Sequence, residues 1–167
     1  KRFYSKTVTE KYDYIKQLHG EMHGFYLRLQ NTSLAKDETE RLNQLISAIR
    51  NGMYAAKNIR DAQHDIQQMS NSSNEIKYSF YTLSREKLLN FYQGIQLLLD
   101  KQKGTKHFEE LSAVYQSITK GYSEGLQSLY KESLARHVSE TEISTLINFN
   151  RELYTSFKSL LFGLKDY

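Results

Sequence analysis

Proline is missing from all 167 residues of this chain. An average protein contains about 5% proline, and a proline inside a helix removes a backbone donor and clashes with the preceding turn. Long, uninterrupted helices are therefore favoured. Cysteine is absent too, so neither disulfides nor thiolate metal sites contribute to the fold. The residue usage predicts an all-α protein stabilised by packing.

Apolar residues recur with the period of a helix in five segments, which begin near residues 7, 37, 72, 105 and 139. Four of these starts carry the pattern of a capping box, in the pairs Thr7–Glu10, Asp37–Glu40, Ser72–Glu75 and Ser139–Glu142. The third helix is expected to end near Gly104. Because the connections are short, we predict an up-and-down bundle of about five long antiparallel helices.

The first and last predicted helices have well-defined apolar stripes. That of the first consists of Val8, Ile15, Leu18, Met22, Phe25 and Leu29. That of the last is a heptad series of Ile143, Leu146, Asn150, Leu153, Phe157, Leu160 and Leu164. A buried asparagine is costly unless it is hydrogen-bonded, so Asn150 is expected to have a partner and to fix the register of the helix.

Several residues recur at an offset of 101 positions, which indicates an internal duplication. The matching pairs are Gly20/Gly121, Gly24/Gly125, Leu45/Leu146, Ile46/Ile147, Arg50/Arg151 and Lys57/Lys158. The sequence thus divides into a first repeat of three helices, residues 1–104, and a second repeat of two helices, residues 105–167, packed as one unit. Each glycine pair is expected to allow another helix to approach closely.

The charge of the chain suggests no dedicated partner. A net charge of +4 is spread without a block of one sign, so no nucleic-acid surface is predicted.

No apolar run approaches the about 20 residues that cross a bilayer. The chain opens on Lys1 rather than Met, and we expect it to belong to a longer polypeptide.

Two groups of polar residues are candidate sites. Arg50 and Lys57, with their counterparts Arg151 and Lys158, could bind an anion or a partner between the halves, or could extend along the edge of the core. Asp61, His64 and Asp65 form a cluster that could hold a metal or form a solvated ion-paired face. His19 and His23 lie four residues apart, but the sequence implies no further ligands for them.

Residues 47–66 (SAIRNGMYAAKNIRDAQHDI) and 143–161 (ISTLINFNRELYTSFKSLL) resemble the PhoU-like C-terminal region of bacterial sodium/phosphate cotransporter-type membrane proteins. That family is built from tandem three-helix bundles and regulates phosphate uptake. The resemblance implies a PhoU-like repeat whose last helix is absent. It also implies a cytoplasmic domain of an inner-membrane protein, in contact with the transmembrane transporter portion of the same chain and close to the membrane surface.

The resemblance fails at the metal site. PhoU proteins ligate clustered iron or zinc through an acid-x-x-x-acid motif, and its positions fall here on Arg50 and Tyr54 and, in the second repeat, on Arg151 and Thr155. The carboxylates are replaced, so no metal cofactor is carried over from the family.

We therefore expect a non-enzymatic regulatory domain without a cofactor that acts in phosphate uptake or its regulation. Its helix faces would contact the transporter or a second copy of the domain. Two alternatives remain: a metal-binding helical bundle, which would need Glu-x-x-His pairs that the sequence lacks, and a coiled-coil signalling bundle that dimerises through its last helix.

Overall fold

The computed structural model describes residues 3–99, 105–136 and 138–167. Within these ranges the chain forms six helices and no strand, which confirms the prediction of an all-α bundle. The helices are α1 (Val8–Gln30), α2 (Lys36–Asp61), α3 (Gln63–Ser70), α4 (Glu75–Leu99), α5 (Thr105–Arg136) and α6 (Glu140–Asp166). No helix in these ranges combines the length and hydropathy needed to cross a membrane.

Two of the four predicted capping boxes are confirmed. Thr7 Oγ1 accepts a hydrogen bond from the backbone N–H of Glu10, whose carboxylate accepts one from the N–H of Thr7. Ser139 and Glu142 make the same reciprocal pair at the start of α6. Each box satisfies backbone donors that the first turn of a helix leaves unpaired.

The other two predicted boxes are wrong. The second helix begins at Lys36, and the carboxylate of Glu38 accepts a hydrogen bond from the N–H of Ala35. Ahead of α4 the capping acceptor is Asn74 Oδ1, which receives the N–H groups of Ile76 and Lys77. In both places several neighbouring polar side chains could accept hydrogen bonds from the unpaired N–H groups at the start of the helix. Sequence alone does not decide which of these side chains does so.

The second predicted helix is divided in two at Ala62. This residue has φ −78° and ψ −6° and is almost fully buried. Beyond it, α3 packs against α4, and Met69 of α3 is completely buried. Neither glycine nor proline stands at the break, and the backbone hydrogen bonds from Ala62 to Asn58 and from Ile66 to Ala62 continue across it. The predicted end of the third helix near Gly104 lies outside the described residues.

An antiparallel pair of long helices, α2 and α6, forms the centre of the molecule. Ser47 Oγ of α2 donates to Asp166 of α6 at 2.6 Å. Near the other end of α6, Asn148 Nδ2 donates at 2.9 Å to Asp65 of α3, just beyond the end of α2. The backbones approach closely near Gly163, where an added Cβ would lie 3.2 Å from the carbonyl oxygen of Ala48. Small residues at this crossing allow the contact.

The core lies where α4 and α5 pack on α6. Phe91 of α4 stacks on Phe157 of α6 with ring centroids 4.0 Å apart, and Phe80 meets Phe149 edge to face at 6.2 Å. The predicted heptad of the last helix is largely confirmed, because Leu146, Asn150, Leu153 and Phe157 are buried while Leu160 and Leu164 are half-buried.

The packing of α1 differs from expectation. Its contacts are chiefly with α2, and its fully buried residue is Tyr12, over whose ring the Arg60 guanidinium lies at 4.2 Å. Four members of its predicted apolar stripe, Val8, Leu18, Met22 and Phe25, are exposed. The helix is amphipathic as predicted, but the described chain leaves most of its apolar side uncovered.

The two glycine pairs have different surroundings. At Gly125 an added Cβ would lie 3.0 Å from Asn150 Oδ1, so the prediction of close packing is confirmed there. At Gly20 nothing lies within 4 Å, and at Gly24 the nearest atom is in the flexible guanidinium of Arg28. Close packing is therefore wrong for the first pair.

Candidate functional site

A cleft of about 450 Å³ opens between α4, α5 and α6. Its apolar wall includes the stacked pair Phe91 and Phe157, and its other aromatic wall is Tyr122 stacked on Tyr154 at 4.7 Å. Apolar walls with a few polar groups are typical of small-molecule sites. The polar and charged lining residues are Lys87, Asn90, Ser117, Lys120, Glu124 and Asn150.

The two cations of the cleft already have partners. Lys87 Nζ, on α4, donates to the carbonyl oxygen of Gly121 on α5 at 3.2 Å. Lys120 lies 3.7 Å from the carboxylate of Glu124, one turn along α5, and both side chains are largely exposed. An anion entering the cleft would have to displace these contacts, so their charge does not by itself define an anion site.

Asn150 forms the polar part of the cleft floor. Its side chain is 8% exposed, and its Nδ2 donates to the carbonyl oxygen of Tyr122 at 3.1 Å. The missing side chain of Gly125 makes room for the amide. The expected hydrogen bond of this core asparagine is thus confirmed, and it links α6 to α5.

Three hydroxyl groups lie beside the aromatic wall. Thr119 Oγ1 is 3.4 Å from the hydroxyl oxygen of Tyr154. Hydrogen bonds from Thr119 and Tyr115, together with the charge of Lys158, lower the pKa of Tyr154. The same Tyr154 contact raises the pKa of Tyr115. These interactions fix the orientation of Tyr154 at the side of the cleft.

The four predicted basic residues do not meet at one place. Arg50 lies close enough to His19 of α1 to lower its pKa, and Lys57 is 4.0 Å from Asp61 on its own helix. Arg151 donates to Asn148 at 2.6 Å and to Glu152 at 3.2 Å. Lys158 Nζ lies 5.5 Å from the ring centroid of Tyr154. Each side chain therefore interacts with its local neighbours.

The predicted metal candidates are also separated by their contacts. Asp61 is paired with Arg60, His64 Nε2 is 2.9 Å from Gln68 Nε2, and Asp65 accepts a hydrogen bond from Asn148. The break at Ala62 lies between the two aspartates. Among the described residues no three His, Asp or Glu side chains come together as a group that could hold a metal ion.

The histidine pair of α1 includes a buried polar atom that lacks a hydrogen-bond partner. The rings of His19 and His23 have centroids 6.0 Å apart, and His19 Nε2 is buried without a hydrogen-bond partner. Burial, with smaller contributions from the charges of His23 and Arg50, lowers the pKa of His19. A neutral imidazole is therefore favoured at the α1–α2 contact.

The cleft was not predicted from the sequence, because its lining comes from three helices whose arrangement only tertiary packing decides. The signals that existed were Asn150 in a core position and the glycine pair at 121 and 125. In comparisons with protein-family models, curated proteins and solved structures, the chain matches none of them.

Proposed function

We propose that this chain is a PhoU-like regulatory domain without enzymatic activity. It belongs to a sodium-dependent phosphate transporter-type protein, is joined to the transmembrane portion of the same polypeptide, and lies on the cytoplasmic side of the inner membrane. It acts in phosphate uptake or its regulation through contacts of its helix faces. This proposal starts from the likeness of residues 47–66 and 143–161 to that family.

One contact supports the proposal more than any other. Ser156 Oγ of α6 donates to the carbonyl oxygen of Ala55 of α2 at 3.0 Å, and the two residues are 101 positions apart. This is the offset that relates the second helices of the two sequence repeats. Two duplicated helices that cross antiparallel about an approximate twofold axis meet at equivalent positions, as these two residues do.

The packing of α4 supports treating the two repeats, 1–104 and 105–167, as one unit. This helix belongs to the first repeat by sequence, but it contacts α5 and α6 of the second. In our proposal the second repeat has no described helix equivalent to α4.

The residues present do not fit the metal cluster of the PhoU family. Arg50, Tyr54, Arg151 and Thr155 occupy the positions of its carboxylates, and Thr155 Oγ1 donates to the carbonyl of Arg151 within its own helix. The proposed regulation therefore depends on packing between helix faces and needs no cofactor.

The gene and the transport activity of the full-length protein test this proposal. The coding sequence adjoining residue 1 should encode membrane spans, and cells expressing the full-length protein should take up radiolabelled phosphate in a sodium-dependent manner. Deleting residues 1–167 should change the rate or phosphate dependence of that uptake. A coding sequence without spans, or uptake unaffected by the deletion at equal protein level in the membrane, would overturn the proposal.

A further inference from the structure

The outer face of α1, formed by Tyr14, Leu18, Met22 and Phe25, is apolar and exposed. These side chains are between 39% and 56% exposed. Their spacing of four, four and three residues places them in one stripe along about three turns of helix. An apolar patch in which the side chains are contiguous is often an interaction surface.

The contacts of α1 with α2 leave this face free. Tyr12 meets Arg60, and the hydroxyl of Tyr26 donates to Asn43 Oδ1 at 2.9 Å. With His19, these residues form the side of α1 that faces α2, about a quarter-turn from the outer face. Phe3 contacts one end of the outer face, edge to face with Tyr14 at 5.7 Å. A partner can therefore cover the rest of the face without displacing α2.

We propose that a second copy of this chain covers the outer face, through an antiparallel pairing of α1 with α1 about a twofold axis. The inference goes beyond the proposed function and does not depend on it. In this arrangement the same patch contacts itself, as twofold symmetry requires. The two α1 helices, each backed by its α2, form a four-helix layer.

The order of residues along α1 suits this pairing. When two copies of α1 run antiparallel, Tyr14 of one copy lies opposite Phe25 of the other, and Leu18 lies opposite Met22. Large apolar side chains then meet large ones along the whole stripe. We place the twofold axis near residues 19 and 20, because positions 14 and 25, and positions 18 and 22, are nearly equidistant from that point.

Charges on one flank of the stripe agree with the same register. Glu10 and Arg28 lie on the same side of α1, near its opposite ends, and antiparallel pairing brings Glu10 of one copy to Arg28 of the other. The twofold axis makes this ion pair twice. Glu10 also caps the helix through Thr7, so its carboxylate is held in place before the partner arrives.

A second copy suits this surface better than a lipid membrane does. Interfacial helices are rich in Lys and Arg on the polar face. Here Glu10 and Glu21 lie beside the outer face and balance Lys11 and Arg28, so the face has no excess of positive charge. The four apolar side chains offer on the order of 400 Å² per copy. Because stable interfaces bury about 800 Å² per partner, we expect a weak dimer.

Sedimentation of the 167-residue chain over low to high micromolar concentration tests the inference. The wild-type protein should shift from monomer to dimer. Phe25→Glu should weaken association at least about tenfold, because a charge would be buried in the apolar contact against Tyr14 of the second copy. Leu27→Glu is the matched control: Leu27 is 50% exposed against 56% for Phe25, but it points away from the outer face. It should dimerise like the wild type.

Charge reversal tests the register. Arg28→Glu and Glu10→Arg should each weaken the dimer, and the double variant should regain association, which a purely structural effect would not produce. Helix content by circular dichroism should show that all variants stay folded. The inference fails if the wild type is monomeric throughout, if Phe25→Glu dimerises normally, or if the face binds phosphatidylglycerol vesicles instead of a second copy. None of these outcomes bears on phosphate uptake.

Discussion

The hydroxyl of Ser156 donates a 3.0 Å hydrogen bond to the carbonyl oxygen of Ala55, and the two residues are 101 positions apart in the chain. Ser156 is 2% exposed and Ala55 is 6% exposed. The bond therefore lies in the buried contact between α2 and α6. This contact is sensitive to the size of the side chain at either position.

We expect Ser156→Ala to lower the free energy of unfolding by about 1 kcal/mol, the usual net value of one hydrogen bond. Ser156→Leu should cost about 2–3 kcal/mol, because the added methylenes force apart two closely packed backbones. Urea denaturation measures both values. Ser123→Leu on the exposed side of α5 serves as a control and should change the stability little. Equal effects of the two leucine substitutions would contradict the close α2–α6 contact.

The two repeat-related glycine pairs should respond in opposite directions to alanine. Gly20→Ala should stabilise the protein by about 0.5–1 kcal/mol, because it restricts the unfolded chain and meets no atom. Gly125→Ala should destabilise it by about 1 kcal/mol, since the new methyl would displace the buried Asn150 amide. Thermal unfolding of the two variants measures both signs. Stabilisation by both alanines would mean that Asn150 can move without cost.

Local signals were the part of the fold that the sequence could predict. Thr7–Glu10 and Ser139–Glu142 form capping boxes because a box needs only residues within one turn. The break at Ala62 was not predictable, because no local residue demands it. Periodicity likewise showed that α1 has an apolar face but not what covers it, since that depends on helices distant in sequence.

The candidate site could not be predicted from the sequence for the same reason. Arg50, Lys57, Arg151 and Lys158 were proposed from a spacing that repeats along the chain, yet their contacts are with different neighbours. Spacing on one helix places residues on a face, whereas a site needs faces of several helices to meet. The cleft satisfies that requirement, and its residues are scattered over three helices.

We expect the packing of α1 on α2 to weaken as the pH falls below neutrality. The pKa of His19 is lowered in the folded state, mainly by burial, so the unfolded chain binds the proton more readily. The stabilisation that neutral His19 gives the folded protein is therefore present above the unfolded-state pKa of about 6.5. It is lost as the pH falls through the folded-state pKa. Hydrogen exchange of the α1 amides should become faster between about pH 7 and pH 5 than intrinsic exchange rates account for.

His19→Gln removes this titration and should flatten the pH dependence of α1 protection. The matched control is His64→Gln, because His64 is exposed and contacts Gln68 on its own helix. That variant should behave like the wild type. An unchanged pH dependence in His19→Gln would assign the effect to another group, with His23 beside it as the first to examine.

The pair Lys77–Glu142 joins the start of α4 to the start of α6, with Nζ and Oε1 3.1 Å apart. The hydrogen bond from Lys77, followed by those from Ser139, lowers the pKa of Glu142. Because the pKa of Glu142 is lower in the folded protein, the stabilisation is present above its unfolded-state pKa of about 4.3. It is lost as the pH falls through the folded-state pKa. This window lies below that of His19, so the two effects separate in a pH titration.

Lys77→Met should raise the pKa of Glu142 towards its ordinary value, which carboxyl-carbon NMR measures directly. The capping bonds from Ser139 remain, so part of the depression should survive. Stability at neutral pH should fall slightly, while the loss of stability on acidification below about pH 5 should become smaller. Lys120→Met removes a comparable ion pair, with Glu124, at an exposed position of α5 and should leave the Glu142 titration unchanged. If Lys77→Met left the Glu142 titration unchanged as well, the capping box alone would account for the depressed pKa, and the α4–α6 ion pair would have no part in it.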